Sequence, residues 1–329
     1  MASNGGGSAV EADAPVVVTN LDFSYDGMDK PVLKNFQLNL PAGSRCLLIG
    51  MNGAGKSTLL RVLAGRHMAK PDDAVMVLGK SAFLDTTINK HRSFLSMDWG
   101  MRTISFAGHG VPLQADIAVR NMMKKDQERY PERRKELVEM LGIDPEWRMH
   151  QARDVSDGQR RRVQLLLGLV KPFKILLLDE VTTSLDVVVR QDLLVWLRKE
   201  SEGRGATIIY ATHIFDGLDD WPTHLTYLTR QATPLAHGST GWQGKLEDLE
   251  LNRQMKERGE TCTLLKVACH WLRTEQEESR SETRELRERR RRDGEAEGGA
   301  GAIRDRNPNL KPYVAGGGYA PGRLAHQGI

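Results

Sequence analysis

The stretch GMNGAGKST, Gly50 to Thr58, has the residue types and spacing of a loop that wraps phosphate. Its glycines, Gly50, Gly53 and Gly55, let the backbone turn around phosphate oxygens with no Cβ in the way. The loop amides and the N-terminus of the helix expected beyond them attract the anion. Lys56 reaches the β- and γ-phosphates, the Ser57 hydroxyl binds Mg2+, and Thr58 supports the α-phosphate. Met51, Asn52 and Ala54 complete the set of candidate nucleotide contacts.

A second group stands in ILLLDE. Four apolar residues fix a strand in a sheet core. At its tip Asp179 faces the Mg2+ shell through water, and Glu180 orients or deprotonates the attacking water. Two acids at a strand end are commonplace on their own; the phosphate loop upstream gives these their role. ATHIF ends another strand on His213, which is aimed at the γ-phosphate. A lone histidine is usually structural, and the position after DE favours the functional reading. Tyr25, near the first strand pair, is either a platform stacked under adenine or a core residue. VSDGQRRRVQ, Val155 to Gln164, has the look of a phosphate contact but stands far along the chain from the loop.

These residues need a sheet to hold them. VVVTNLDFSY and PVLKNFQLNLPAG alternate like strands, and SRCLLIG is a buried strand that runs into the glycine loop. KSTLLRVLAGR is the helix after it, so the order is strand, loop, helix. RTISFAG is a further strand candidate. Residues 114–150 are polar with helical period, and PERRKELVEMLG starts a helix at Pro131 and stops it at Gly142. KILLLDE, LDVVVRQDLLVWLRKE and ATIIYATH then read strand, helix, strand. The alternation predicts an α/β fold with a mostly parallel sheet, an antiparallel β part and a helical subdomain inserted at about 110–170.

The flanks differ in character. Residues 1–15 read as a disordered tail, 16–243 as the nucleotide-binding domain, 244–293 as a charged helical extension, and 294–329 as a disordered Gly-rich tail. TCTLLKVACHWLR places Leu264, Leu265, Ala268 and Leu272 on one helical face. Beyond it, Glu285–Arg289 and Glu288–Arg292 are i,i+4 pairs on a solvated helix. Arg289 to Arg292 admit a nuclear-localisation or RNA-contacting reading, which the neighbouring acids dilute.

Hydrophobic residues make up 40% of the 329, enough for a sizeable core. A net charge of +4 is too small to argue for nucleic-acid binding. Cys46, Cys262 and Cys269 have no metal-ligand spacing, and their odd, sparse count fits a reducing compartment. No apolar run suits a membrane span, and the first residues carry neither a signal-peptide pattern nor a transit-peptide one. A cytoplasmic protein is expected.

Taken together, GMNGAGKST, VSDGQ, LLLDE, TSLD and ATH resemble, in type and order, the nucleotide-binding domain of ABC ATPases. The continuation from DEVTTSLD to HLTYL is similar to the CCR-NOT-associated-factor type and its plant class I relatives, which lack membrane spans. The resemblance implies a P-loop NTPase of ABC type that binds MgATP and hydrolyses it to ADP and phosphate. It also implies a head-to-tail dimer, either of two copies or with a related ABC ATPase, in which the signature of one chain meets the ATP of the other. Ser156, Asp157, Gly158 and Gln159 then belong to the partner's site, and Asp186 lies at the seam. The implied output is a conformational change read by a regulatory protein complex; a transporter with a separate membrane chain is the alternative.

Departures from the family pattern occur at Asp157 for glycine, Val155 for leucine and Val181 for proline. A carboxylate at 157 repels a γ-phosphate unless it turns away or caps the helix. The glutamine-loop position falls on His109, with Gln114 as the alternative.

Overall fold

The computed structural model describes residues 14–297, apart from 29, 98–102, 107–108, 113–117, 149–155 and 231–239. Most of the N-terminal tail and of the Gly-rich tail read from the sequence lies outside the described residues, as do Gln114 and Val155.

Strands β1 (Val16–Phe23), β2 (Leu33–Leu40) and β3 (Arg45–Gly50) precede α1 (Lys56–Leu63). β4 (Val75–Val77), β5 (Lys80–Ser81), β6 (Arg92–Leu95), β7 (Thr103–Phe106) and β8 (His109–Pro112) follow. The middle of the chain holds α2 (Val119–Met122), α3 (Lys124–Arg129), α4 (Pro131–Met140) and α5 (Asp157–Leu169). Next come β9 (Ile175–Asp179), α6 (Val187–Arg204), β10 (Thr207–Ala211), β11 (His224–Leu228) and β12 (Thr240–Gly244). Helices α7 (Glu250–Glu257) and α8 (Leu264–Glu297) end the described chain.

The larger sheet has the order β12-β11-β3-β10-β9-β6. Its strands are parallel except β12, which pairs antiparallel with β11. β3, β9 and β10 are buried along their whole length, which explains why they read as continuous apolar runs rather than alternating ones. In β2 the burial alternates, because that strand sits in the antiparallel sheet β2-β1-β4-β5 and shows one face to water. The expected mixed α/β fold, with parallel and antiparallel sheets and a helical stretch between, is the fold observed.

Register decides where the site can be. Ala211 of β10 pairs with Leu48 of β3 and with Asp179 of β9, and Leu228 of β11 pairs with Gly50. The C-terminal ends of four neighbouring strands therefore meet at one edge, the place where open α/β sheets bind ligands.

The helices are set by local signals. Pro131 opens α4, and Gly142 follows its end with φ 56°. Gly205 closes α6 in the left-handed conformation at φ 67°. A buried ion pair ties α4 to α6: Arg133 faces Glu200 at 2.7 Å, both side chains at least nine-tenths buried. The Arg133 guanidinium also lies over Trp196, 4.7 Å from the ring centre, and its Nε donates to the Leu169 carbonyl at 2.8 Å.

The chain divides into two units, residues 1–280 and 281–329. In the first, the buried face of α8 is formed by Leu264, Val267 and Ala268, with Trp271 and Leu272 packed beside them. Leu265, assigned to that face from the sequence, is instead 53% exposed. One residue is a turn of 100°, and steps of three and four from Leu264 lead to 267, 268 and 271.

Candidate functional site

β3 delivers the chain into the loop, and the loop has no room for side chains at two of its glycines. A Cβ on Gly50 would lie 2.5 Å from the Leu228 carbonyl oxygen, and one on Gly55 2.8 Å from Leu33 Cδ2. Gly53 and Gly55 also hold φ of 83° and 96°, left-handed values that favour glycine. Gly55 is the N-cap of α1, and no side chain caps that helix, so its first amides face the loop interior. Lys56 donates to the carbonyls of Gly50 at 2.6 Å and Met51 at 3.1 Å, which sets its ammonium across the loop. Burial lowers the Lys56 pKa, while Glu180, Asp179 and Glu275 favour its charged form.

The two predicted metal residues, one in the first turn of α1 and one at the end of β9, are in contact: Ser57 Oγ donates to Asp179 Oδ1 at 3.0 Å. Glu180, the next residue, has φ 53°. For a residue with a Cβ that conformation costs about 1–2 kcal/mol. It is held by the amide hydrogen bond from Glu180 to the Ala211 carbonyl at 3.0 Å. His213 Nε2 stands 3.1 Å from Glu180 Oε1, and the His213 amide donates to Oε2 at 3.4 Å. Burial pushes the Glu180 carboxyl up to about 7, against the pull of the His213 amide and Lys56. A base poised near neutrality is the kind that general-base chemistry uses. Burial also lowers the His213 pKa.

Tyr25 donates to or accepts from Thr58 Oγ1 at 3.1 Å, which places it beside the loop rather than in the deep core. Its ring meets Phe23 and His67 edge-on, at 5.1 and 5.3 Å between ring centres. His67 carries no motif and was not among the sequence candidates.

Ser156 is the N-cap of α5. Its Oγ accepts from the Gln159 amide at 3.2 Å, and Gln159 Oε1 accepts from the Ser156 amide at 2.7 Å, a reciprocal capping box. With Ser156 capping, the Asp157 side chain is free to turn outward and is 94% exposed. Gly158 is tight: a Cβ there would lie 3.0 Å from the Ser184 carbonyl oxygen. Asp186 caps α6 by accepting from the Val189 amide at 3.0 Å, and it pairs with Arg162 of α5 at 2.6 Å. The ion pair thus links the signature helix to the TSLD turn, and Arg162 was another residue the motifs did not single out. The His109 backbone opens β8, opposite Phe106 in the two-stranded sheet of β7 and β8; its side chain, like Gln114, is outside what the structure describes.

A glycine cradle closed to Cβ atoms, a buried lysine across it, and a hydroxyl–carboxylate pair at its end fit a Mg2+-bound triphosphate. Comparison with known proteins places the chain among ATP-binding proteins. Residues 33–183 match the family model described as ABC transporter. Over 282 residues the chain is 45% identical to ABC transporter I family member 20 of Arabidopsis thaliana, covering 83% of this chain and 80% of that protein. The chain belongs to the ABC transporter ATP-binding family. This ABC chain is also 39% identical over 220 residues to CCR4-associated factor 16 of Saccharomyces cerevisiae, covering 65% of itself and 75% of that protein. Its fold is shared with the dimeric ATP-binding cassette MJ0796 in a post-hydrolysis state bound to ADP and Pi, at TM-score 0.54 and 22% identity, covering 70% of this chain and 98% of that one. As a member of this family, the protein is an ATP hydrolase. No helix among its described residues is long and apolar enough to cross a membrane.

Proposed function

We propose that the protein is a cytoplasmic ABC ATPase that hydrolyses MgATP in a head-to-tail dimer and acts on protein partners through the resulting conformational change. The observation that carries this reading is the meeting of Ser57 in α1 with Asp179 at the end of β9, at 3.0 Å, and of Glu180 with His213, just past the ends of the paired strands β9 and β10, at 3.1 Å. The Gly50–Thr58 amides and Lys56 hold the β- and γ-phosphates. Ser57, and Asp179 through water, would hold Mg2+, which would supply neutralising charge to those phosphates. Glu180 orients the attacking water and accepts its proton, and His213 steadies the Glu180 carboxylate and the γ-phosphate. Tyr25 stacks on the adenine. Ser156 and the Gly158 amide complete the site of the opposite chain, and Asp186 lies at the seam.

Support for the dimer comes from the chain holding one phosphate loop and one signature, so that two copies supply the two parts of each site. The likeness to a cassette solved as a dimer points the same way. Action on a regulatory complex is suggested by the name of the yeast relative; coupling to a separate membrane chain is the second reading, suggested by the name of the plant one. Co-purification with the ATP-held Glu180→Gln chain separates them. Recovery of a regulatory complex is expected, and recovery of a multispanning membrane protein would select the transporter reading.

A further inference from the structure

The end of β11 lies against the phosphate loop. Leu228 pairs with Gly50, and its carbonyl oxygen is what a Cβ on Gly50 would strike at 2.5 Å. Two residues on, Arg230 Nε stands 3.9 Å from the place a Cβ would take on Gly53. This segment is held from behind by the C-terminal extension. The Arg230 amide donates to Glu275 Oε1 of α8 at 2.6 Å. The Tyr227 hydroxyl donates to the other Glu275 oxygen and lies 3.2 Å from the Trp271 carbonyl. The Tyr227 ring stacks on Trp271 at 4.9 Å, and Trp242 packs on the same indole at 5.6 Å. Glu275 is also near enough to Lys56 to favour its charged form. At the start of α8, the Leu264 amide is tied to Asp219 Oδ1 at 2.7 Å, and Leu264, Val267 and Ala268 are buried.

We infer that residues 264–280 of α8 are a wall of the nucleotide site, with Glu275 as the positioning residue that holds Tyr227–Arg230 against the phosphate loop, so that seating of this part of α8 and binding of ATP are coupled. This rests on the reading of Gly50–Thr58 as the ATP loop. Glu275 touches no phosphate; it acts through the Arg230 amide and the Tyr227 hydroxyl. If α8 lifts, both donors lose their acceptor, and the backbone that packs on Gly50 loses its support. The amides that grip phosphate are then no longer held in one arrangement. Linkage makes the effect reciprocal: ATP must favour the seated helix by the factor with which the seated helix favours ATP.

The test compares full-length wild type, Glu275→Ala, Glu275→Gln and Lys56→Ala for MgATP affinity by calorimetry and for kcat and KM. Glu275→Ala is expected to raise Kd and KM about 5–50-fold, within the usual range of coupling between sites. Its kcat should change less than its KM, because Glu180 and His213 keep their contact at 3.1 Å beside the attacking water. Glu275→Gln should restore binding. Its amide oxygen can accept from Arg230, and its NH2 can donate to Tyr227, whose own hydrogen then turns to the Trp271 carbonyl. Wild-type affinity in Glu275→Ala, or a glutamine variant as weak as the alanine one, would overturn the inference. Hydrogen exchange on the wild-type chain decides the matter even if the alanine variant does not fold. MgATP should slow exchange at residues 271–278, and unchanged exchange there overturns the coupling. Lys56→Ala separates the levels of failure. If it binds ATP like wild type, the reading of the loop is wrong; if it loses ATP while Glu275→Ala does not, only the role of Glu275 falls.

Discussion

Replacing Glu180 with glutamine is expected to slow ATP turnover by about 10²–10⁴-fold, the range for loss of a general base, while ATP still binds. The amide keeps the shape of the side chain and its contact with the His213 backbone, where Glu180 Oε2 accepts at 3.4 Å. What it loses is the ability to take the proton of the attacking water. Single-turnover hydrolysis with a parallel binding assay checks both halves. Turnover within a few-fold of wild type would remove Glu180 from the chemistry and leave its φ of 53° as strain without a purpose.

The second large effect is at Lys56. The ammonium now spans two loop carbonyls at 2.6 and 3.1 Å, and the same group is placed to bind phosphate. Charge-assisted hydrogen bonds contribute roughly 1.5–3 kcal/mol each, so losing two of them in Lys56→Ala is expected to weaken ATP by about 10²–10⁴-fold. Far-UV circular dichroism should show the fold retained, and calorimetry should show little or no binding. Wild-type affinity in this variant would sink the assignment of the loop.

The parts of this site that the sequence declares are those whose partners are close in the chain. GMNGAGKST states its glycines, lysine and hydroxyls in nine consecutive residues, and the structure finds its left-handed angles at Gly53 and Gly55. The capping box of Ser156 and Gln159 is a three-residue spacing, and it resolves the question raised by Asp157: the serine caps and the carboxylate turns outward. Pairings across the fold were not legible. Arg162 with Asp186 and Glu275 with Arg230 join residues 24 and 45 positions apart, and neither partner advertises the other. β6 and β12 escaped for a different reason. They are the edge strands of the large sheet, mostly half-buried, so RSFL and TGWQG show no clear period. Apolarity alone puts Leu265 on the buried face of α8, but the packed positions are chosen by helical geometry, and the helix turns Val267 and Trp271 inward in its stead.

The central claim is that two chains share each ATP, and the oligomeric state of the Glu180→Gln chain tests it most directly. Size-exclusion chromatography with light scattering should show a monomer without nucleotide and a dimer with saturating MgATP, since bound ATP is then not consumed. Adding Ser156→Arg should return that chain to a monomer that still binds ATP through its own Lys56, because the bulk falls at the seam and not in the loop. A Glu180→Gln chain that binds MgATP with full occupancy and remains a monomer would contradict the account.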